Sequence, residues 1–316
     1  MPHDIAATRA ERVSGLARVT LTGVVWGTIP LVLRASDGDP WVKVFYRVVF
    51  AALVIGIWML ATGRWRELAT LDRKKRGQLA TQGLLLTANW LLFLTALDLT
   101  EVATAELLGY TGPVFVAALT PALVGERFDR RIVLPLALAL CGIVVILAQH
   151  GLALGSGRQA LGAALAAGSA VTYAGLLLHS KKTLHGVSTG TLLLGQYAVA
   201  TIVLLPVVIY SYVHGGGPTS AGSYAALATL GIVHTALAGF VFFGGLRHIR
   251  ADHAGILMYA EPVSAVLFAA LFLGEPLTLA TVIGGVMVVL GGVLVARIEP
   301  TPSIEAPAPI DGADAF

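Results

Sequence analysis

Ten stretches of this chain are long, apolar and almost free of charge, and together they take up most of its 316 residues. They run approximately over 17–35, 42–61, 78–97, 102–123, 131–149, 160–179, 190–212, 223–245, 253–273 and 278–296. Each is close to the ~20 residues a helix needs to cross the hydrocarbon core of a bilayer. In lipid an unpaired backbone N–H or C=O has no water to turn to, so only helices and closed barrels can span. Barrel strands would show shorter segments of alternating polarity, and these Leu-, Ala-, Val- and Gly-rich runs do not alternate. The expectation is an all-α polytopic membrane protein with ten transmembrane helices, the lipid bilayer being its first partner. Composition agrees: charged residues make up 12% and mean hydropathy is +0.81, whereas a soluble domain carries about 25% charged residues.

The positive charges orient the chain. With the N-terminus inside, the inner segments hold Arg9, Arg12 and Arg18, the run from Arg64 to Arg76, Arg127, Arg130 and Arg131, Lys181 and Lys182, Arg247 and Arg250, and Arg297. That is 17 of the 21 basic residues. Outside fall only Arg34, Lys43 and Arg158, and Arg47 lies within a span. This asymmetry predicts both termini in the cytoplasm, as in a multi-pass protein of the cell inner membrane. The formal charge of +3 and pI of about 9.1 therefore belong to membrane orientation and give no reason to expect nucleic acid. The single cysteine, Cys141, excludes an intrachain disulfide and a metal-thiolate cluster. The start, residues 1–15, carries Asp4 and Glu11 and reads as a cytoplasmic segment without a good signal peptide. The stretch 298–316, rich in Pro, Ala and acids, reads as a disordered cytoplasmic tail.

One stretch occurs twice. GYTGPVFVAALTPALVGE, from Gly109 to Glu126, returns 149 residues later as MYAEPVSAVLFAALFLGE, from Met258 to Glu275. Tyr110 falls on Tyr259, Pro113 on Pro262, Gly125 on Gly274 and Glu126 on Glu275. Scarce residue types matching in one order without gaps indicate an internal duplication, with units over 16–149 and 150–297. Five spans per unit is an odd number, so the second copy enters the membrane from the opposite face. Inverted repeats of this kind build alternating-access transporters, with the site at the interface between copies.

Ten spans in two halves, with the paired Pro113…Gly125-Glu126 and Pro262…Gly274-Glu275 pattern, resemble the EamA-type transporters of the drug/metabolite transporter superfamily. LTGVVWGTIPLVLRAS looks like that family's opening helix, and Arg47 matches an arginine common early in its second helix. The likeness covers roughly residues 16 to 297. It implies secondary transport of a small metabolite such as an amino acid or amine, usually export, across a bacterial inner membrane. One position departs from the pattern. Glu261 precedes Pro262, where the first copy has Gly112 and where such transporters mostly keep small or apolar residues.

Ionisable groups inside spans are the functional candidates, because each is expensive in lipid and should face protein or a wet cavity. Glu261, near the midplane of the ninth span, would bind a cationic amine or carry a coupling proton, unless it simply pairs with Arg47. Arg47 would attract an anionic group, or snorkel outward to Asp39. His234 has a titration range suited to proton handling, or is a neutral histidine bonded between helices. Glu106 sits one turn before Tyr110 on the same helix face and would line an outer vestibule. Tyr110, Tyr259, Asn89 and Trp90 offer donors and aromatic walls for an organic solute. Gln196 is the partner of Arg47 at the same offset, so the two copies present different chemistry at matching places. Tyr173 and His179 are weaker candidates.

Pro113 and Pro262 each remove a backbone donor within a span, as hinges or as simple kinks. The Gly-Glu pairs read as loop closures. No GxGxxG or GxxxxGK[ST] stands in a strand–helix setting, so no nucleotide site or other cofactor is expected, and transport would draw on an ion or substrate gradient. No catalytic group and no metal set such as HExxH appears, which argues against an enzyme. Uptake, broad cation or drug efflux, and a non-transporting scaffold remain as alternatives. Protons as coupling ion and a second copy of the chain as partner are left open.

Overall fold

The computed structural model describes residues 8–149, 157–274 and 276–298. Among these, ten helices are long and apolar enough to cross a membrane. They are α1 (Arg9–Arg34), α2 (Pro40–Ala61), α3 (Arg73–Leu99), α4 (Val102–Leu123), α5 (Arg130–Ala148), α6 (Gly157–Thr183), α7 (Thr189–Val213), α8 (Ala221–Leu246), α9 (Ala251–Leu273) and α10 (Leu279–Arg297). The number and order are those expected from the apolar runs. Several ends lie further out, and the caps explain why. Thr8 accepts from the Glu11 amide at 3.2 Å while Glu11 accepts from the Thr8 amide at 2.8 Å, a capping box that starts α1 well before its apolar stretch. Asp72 likewise accepts from the Lys75 amide at 2.7 Å and starts α3 among its arginines and lysines. Apolar periodicity stops at the hydrocarbon boundary, but the helices continue into the headgroup layer, where long basic side chains are at home.

Arg64 to Arg76, Arg127 to Arg131, Lys181 and Lys182, and Arg247 and Arg250 cluster at and just beyond the ends of α2, α4, α6 and α8. We refer to this side as the basic face. Glycine permits a close helix crossing: a Cβ on Gly142 of α5 would stand 2.5 Å from the Gly284 carbonyl oxygen of α10, and a Cβ on Gly284 would stand 2.5 Å from that of Gly142. Two backbones meet there because neither residue has a side chain.

Three spans are interrupted. In α4 the ladder breaks after Val102–Gly109 (α4a) and resumes at Gly112–Leu123 (α4b). In α9 it breaks after Ala251–Leu257 (α9a) and resumes at Ala260–Leu273 (α9b). In α1 it breaks at Gly27 and Thr28. Pro113, Pro262 and Pro30 each fall in the first three residues of the resumed helix, where the missing N–H is tolerated. The eighth span is continuous but passes through π-helical turns over Leu230–Leu237. At the basic face α4b packs against α9a. No comparable packing joins α4a to α9b, so the two broken helices diverge toward the opposite face.

We predict that Gly142→Val lowers the thermal midpoint in detergent by several degrees, since overpacking a close crossing costs roughly 1–3 kcal/mol. Gly77→Ala, on α3 where an added Cβ meets nothing, does not lower the midpoint and raises it slightly in the same thermal-shift assay, since Ala favours a helix over Gly by about 1 kcal/mol.

Candidate functional site

The breaks in α4 and α9 meet each other. Pro113 cannot donate, and the Val114 amide turns to the Thr111 carbonyl at 2.9 Å, so the Tyr110 carbonyl loses its helical partner. The Tyr259 hydroxyl donates to that carbonyl at 2.6 Å, and the two tyrosine rings lie 6.3 Å apart. Tyr259 is one of the largest fully buried side chains. Residues 149 apart in the chain thus satisfy a backbone group that a continuous helix would have satisfied alone.

Around this crossing stand the charged groups. Glu106 leaves α4a one turn before Tyr110, and Glu261 leaves the first turn of α9b. The charges of Glu106 and Arg47 both act on Glu261, and Tyr110 and Tyr173 lie within the field of the same carboxylate. No salt bridge joins Arg47 to Glu261, and neither glutamate carboxylate has a hydrogen-bond partner among the described residues. Both are only half-buried, on the helix halves α4a and α9b that do not pack against each other. The position that distinguishes the two halves has a steric reason. A Cβ on Gly112 would meet the Tyr173 ring at 2.7 Å. Where the second copy projects Glu261, the first leaves room for Tyr173, whose ring is then within that glutamate's reach.

Arg47 is held in place by α8. Gly231 lets α2 approach closely, since a Cβ there would stand 2.4 Å from Phe50 and 2.9 Å from the Arg47 carbonyl. One turn further, the Arg47 Nε donates to Thr235 Oγ1 at 2.6 Å, and the guanidinium lies 5.2 Å from the centre of the Trp90 ring. Asp39 plays no part in holding it. The π-helical turns leave carbonyls with new partners: Trp26 Nε1 donates to His234 at 2.7 Å and the Tyr197 hydroxyl to Thr235 at 3.1 Å. π-bulges of this kind are frequent at functional sites.

Of the residues expected at the site, Glu261, Glu106, Arg47, Tyr110, Tyr259 and Trp90 come together. Three others do not. His234 is buried and bonded, with Nε2 2.8 Å from Thr28 Oγ1, which fits a histidine tying α8 to the break in α1. Asn89 spends its amide on the Ser169 carbonyl at 2.7 Å, clamping α3 to α6. Gln196 is buried against Gln82 and Ser180, between α7, α3 and α6. Short polar side chains meet backbone or one another across helices more readily than they reach a cavity. Thr235 and Tyr197 escape a reading of the sequence, because nothing distinguishes a threonine that positions an arginine from one that bonds its own helix.

Glu126 ends α4 beside a left-handed Gly125, φ 82°, but turns inward rather than to water. Glu275 lies outside the described residues, as do most of the N-terminal segment and the tail. Among the described residues no group of His, Cys, Asp and Glu could hold a metal ion. Two cavities lie away from the crossing. One of about 390 Å³ on the basic face is lined in part by Glu67, Lys75, His185 and Arg247. Another of about 330 Å³ is an apolar groove along α9b and α10.

The chain belongs to the EamA-like transporter family, which matches residues 13–148 and again 160–297. Similar proteins include an uncharacterised transporter of Archaeoglobus fulgidus, 31% identical over 90% of this chain and 97% of the relative. Protein RarD of Salmonella typhimurium is 28% identical over 79% of this chain and 83% of its own length. The transporter YxxF of Bacillus subtilis is 24% identical over 92% of each. A solved crystal structure superposes with a TM-score of 0.76 over 91% of this chain and 98% of that one, at 21% identity, so the fold is shared. The protein is therefore a multi-pass membrane transporter of the drug/metabolite transporter superfamily and not an enzyme.

The Tyr259–Tyr110 bond generates a prediction. Tyr259→Phe leaves the Tyr110 carbonyl unpaired at a buried break, which costs about 1–3 kcal/mol. The expected result is a lowered thermal midpoint with helix content by circular dichroism unchanged.

Proposed function

We propose that this protein is a secondary transporter that exports a small zwitterionic or amine metabolite, such as an amino acid, across the inner membrane by alternating access. Its two five-helix units, 16–149 and 150–297, are inverted relative to each other, and the basic face is cytoplasmic. The observation that carries this reading is the set of opposite charges around the crossing of the two broken helices. Arg47 is pinned by Thr235 and Trp90 and forms no salt bridge with Glu261, whose field it shares with Glu106. Buried ionisable groups of both signs that do not neutralise each other leave room for a ligand that would. Broken helices near the midplane are a recurrent form of transporter site. A substrate ammonium meets the two carboxylates, its carboxylate meets Arg47, and the walls of Tyr110, Tyr173 and Trp90 accept an apolar side chain.

Glu261 is also the group proposed to carry a coupling proton, because it has no counterpart in the first copy, where Gly112 stands, and lies near the midplane without a hydrogen-bond partner. Directionality toward export rests on the family resemblance and on the divergence of α4a from α9b, which leaves the site facing away from the basic face.

In proteoliposomes, counterflow with a panel of neutral, anionic and cationic amino compounds is expected to give saturable flux for at least one zwitterion or amine. Arg47→Ala should weaken carboxylate-bearing substrates by about tenfold or more while sparing simple amines, the loss of one charge-assisted partner. Glu261→Gln should abolish flux driven by a pH gradient while exchange persists. Absence of saturable flux for every class, or a pH-driven flux indifferent to Glu261→Gln, overturns the assignment.

A further inference from the structure

On the basic face, directly below the seam where α4b meets α9a, four helix ends converge on a buried charged cluster with no counterpart in the transport site. Lys181, near the end of α6, is 7% exposed. Its ammonium donates to the carbonyls of Leu246 at 2.8 Å, Arg247 at 3.1 Å and Ile249 at 2.7 Å. These carbonyls lie at and just past the end of α8, the place where a cation best complements a helix. The charge of this ammonium acts on Glu126, just past the end of α4.

One oxygen of that carboxylate is buried without a hydrogen-bond partner. Burial pushes the Glu126 carboxyl up, and the charges of Lys181 and Arg250 oppose the rise. The same carboxylate faces the Ala251 amide at the start of α9a. Arg250 completes the arrangement, gripping Asp252 with two bonds of 3.0 and 2.6 Å and donating to the Arg127 carbonyl just past the end of α4 at 2.9 Å. Asp129 and Arg12 form the remaining charged surround, with the buried His253 imidazole beside Asp252.

We propose that Lys181, Glu126 and Arg250 form the latch that holds the basic-face side of the transport pathway shut, with the α4b–α9a contact as the seam it closes. This rests on the transport reading above and adds to it the residues that must separate for the site to open toward the basic face. The Arg250 bond runs from the start of α9a to the end of α4, so the α4b–α9a seam cannot part without breaking it, and the Lys181 bonds tie α6 to the end of α8 beside that seam. A glutamate that only closed a loop would point to water. Glu126 instead sits between two cations and the amino end of a helix that must move. The seam itself is tight: a Cβ on Gly255 would lie 3.4 Å from that of Pro113 and 3.7 Å from that of Val116.

That spacing supplies the test, because a disulfide needs Cβ atoms about 3.5–4.5 Å apart. In a Cys141→Ser background, Val116→Cys with Gly255→Cys should cross-link readily in membranes under mild oxidation, and the cross-link should stop transport until it is reduced. Adding Lys181→Met or Glu126→Gln should lower the cross-linking rate by about fivefold or more, as the open population grows. Should Lys181→Met fail to fold by size exclusion, Glu126→Gln, which keeps the shape and removes only the charge, decides alone. An unchanged cross-linking rate in the folded latch variants overturns the proposal. A rate that responds to the latch in a protein that moves no solute leaves the latch standing and sinks the transport reading instead.

Discussion

The requirement that every backbone N–H and C=O in lipid find a partner governs this structure, and its most informative features are the places where the requirement is met by something other than a helix ladder. Six spans meet it continuously, and the eighth by way of π-helical turns. In α4 and α9, proline removes a donor and the chain breaks at the same point of each copy. The freed Tyr110 carbonyl is then satisfied by Tyr259 from the other half of the molecule. A local defect becomes a long-range contact. The two halves are held at their crossing by the same bond that repairs the break, and the functional groups are arranged around it.

The charged groups follow from a second constraint, that a charge in lipid must be held or hydrated. Arg47 is held: Gly231 brings its helix close, and Thr235 and Trp90 fix its head. The two glutamates are only partly buried and have no hydrogen-bond partner among the described residues, beside helix halves α4a and α9b that do not pack on each other. The chemical difference between the copies is a matter of volume as much as charge. Gly112 leaves room for Tyr173 at the position where the second copy projects Glu261, so a duplicated scaffold surrounds an unsymmetrical space. At the basic face the same economy of positions gives the Gly-Glu pair two roles. Gly125 turns the chain in the left-handed region, where only glycine is unstrained, and Glu126 is thereby delivered to Lys181.

Much of the fold is legible in the sequence because its causes are local. Twenty apolar residues in a row dictate a spanning helix wherever they occur, and the capping residues Thr8, Asp72, Ser188 and Thr278 can be recognised once the helix is known. The site was legible only in part. Glu261, Glu106 and Arg47 stand out because charge in an apolar run is conspicuous. Asn89, Gln196 and His234 stand out for the same reason but are spent on helix contacts, and no feature of the sequence separates the two outcomes.

What the sequence by itself determined is the number of spans, the concentration of basic residues at one set of loops, the repeat at an offset of 149 and the family, since each depends on residue type and order alone. What only the tertiary structure decided is which polar groups face an open space and which face one another. That depends on helix rotation and separation, quantities set by glycines such as Gly142, Gly231 and Gly112 through the backbone approaches they permit, and a glycine in a sequence does not say what will come close to it.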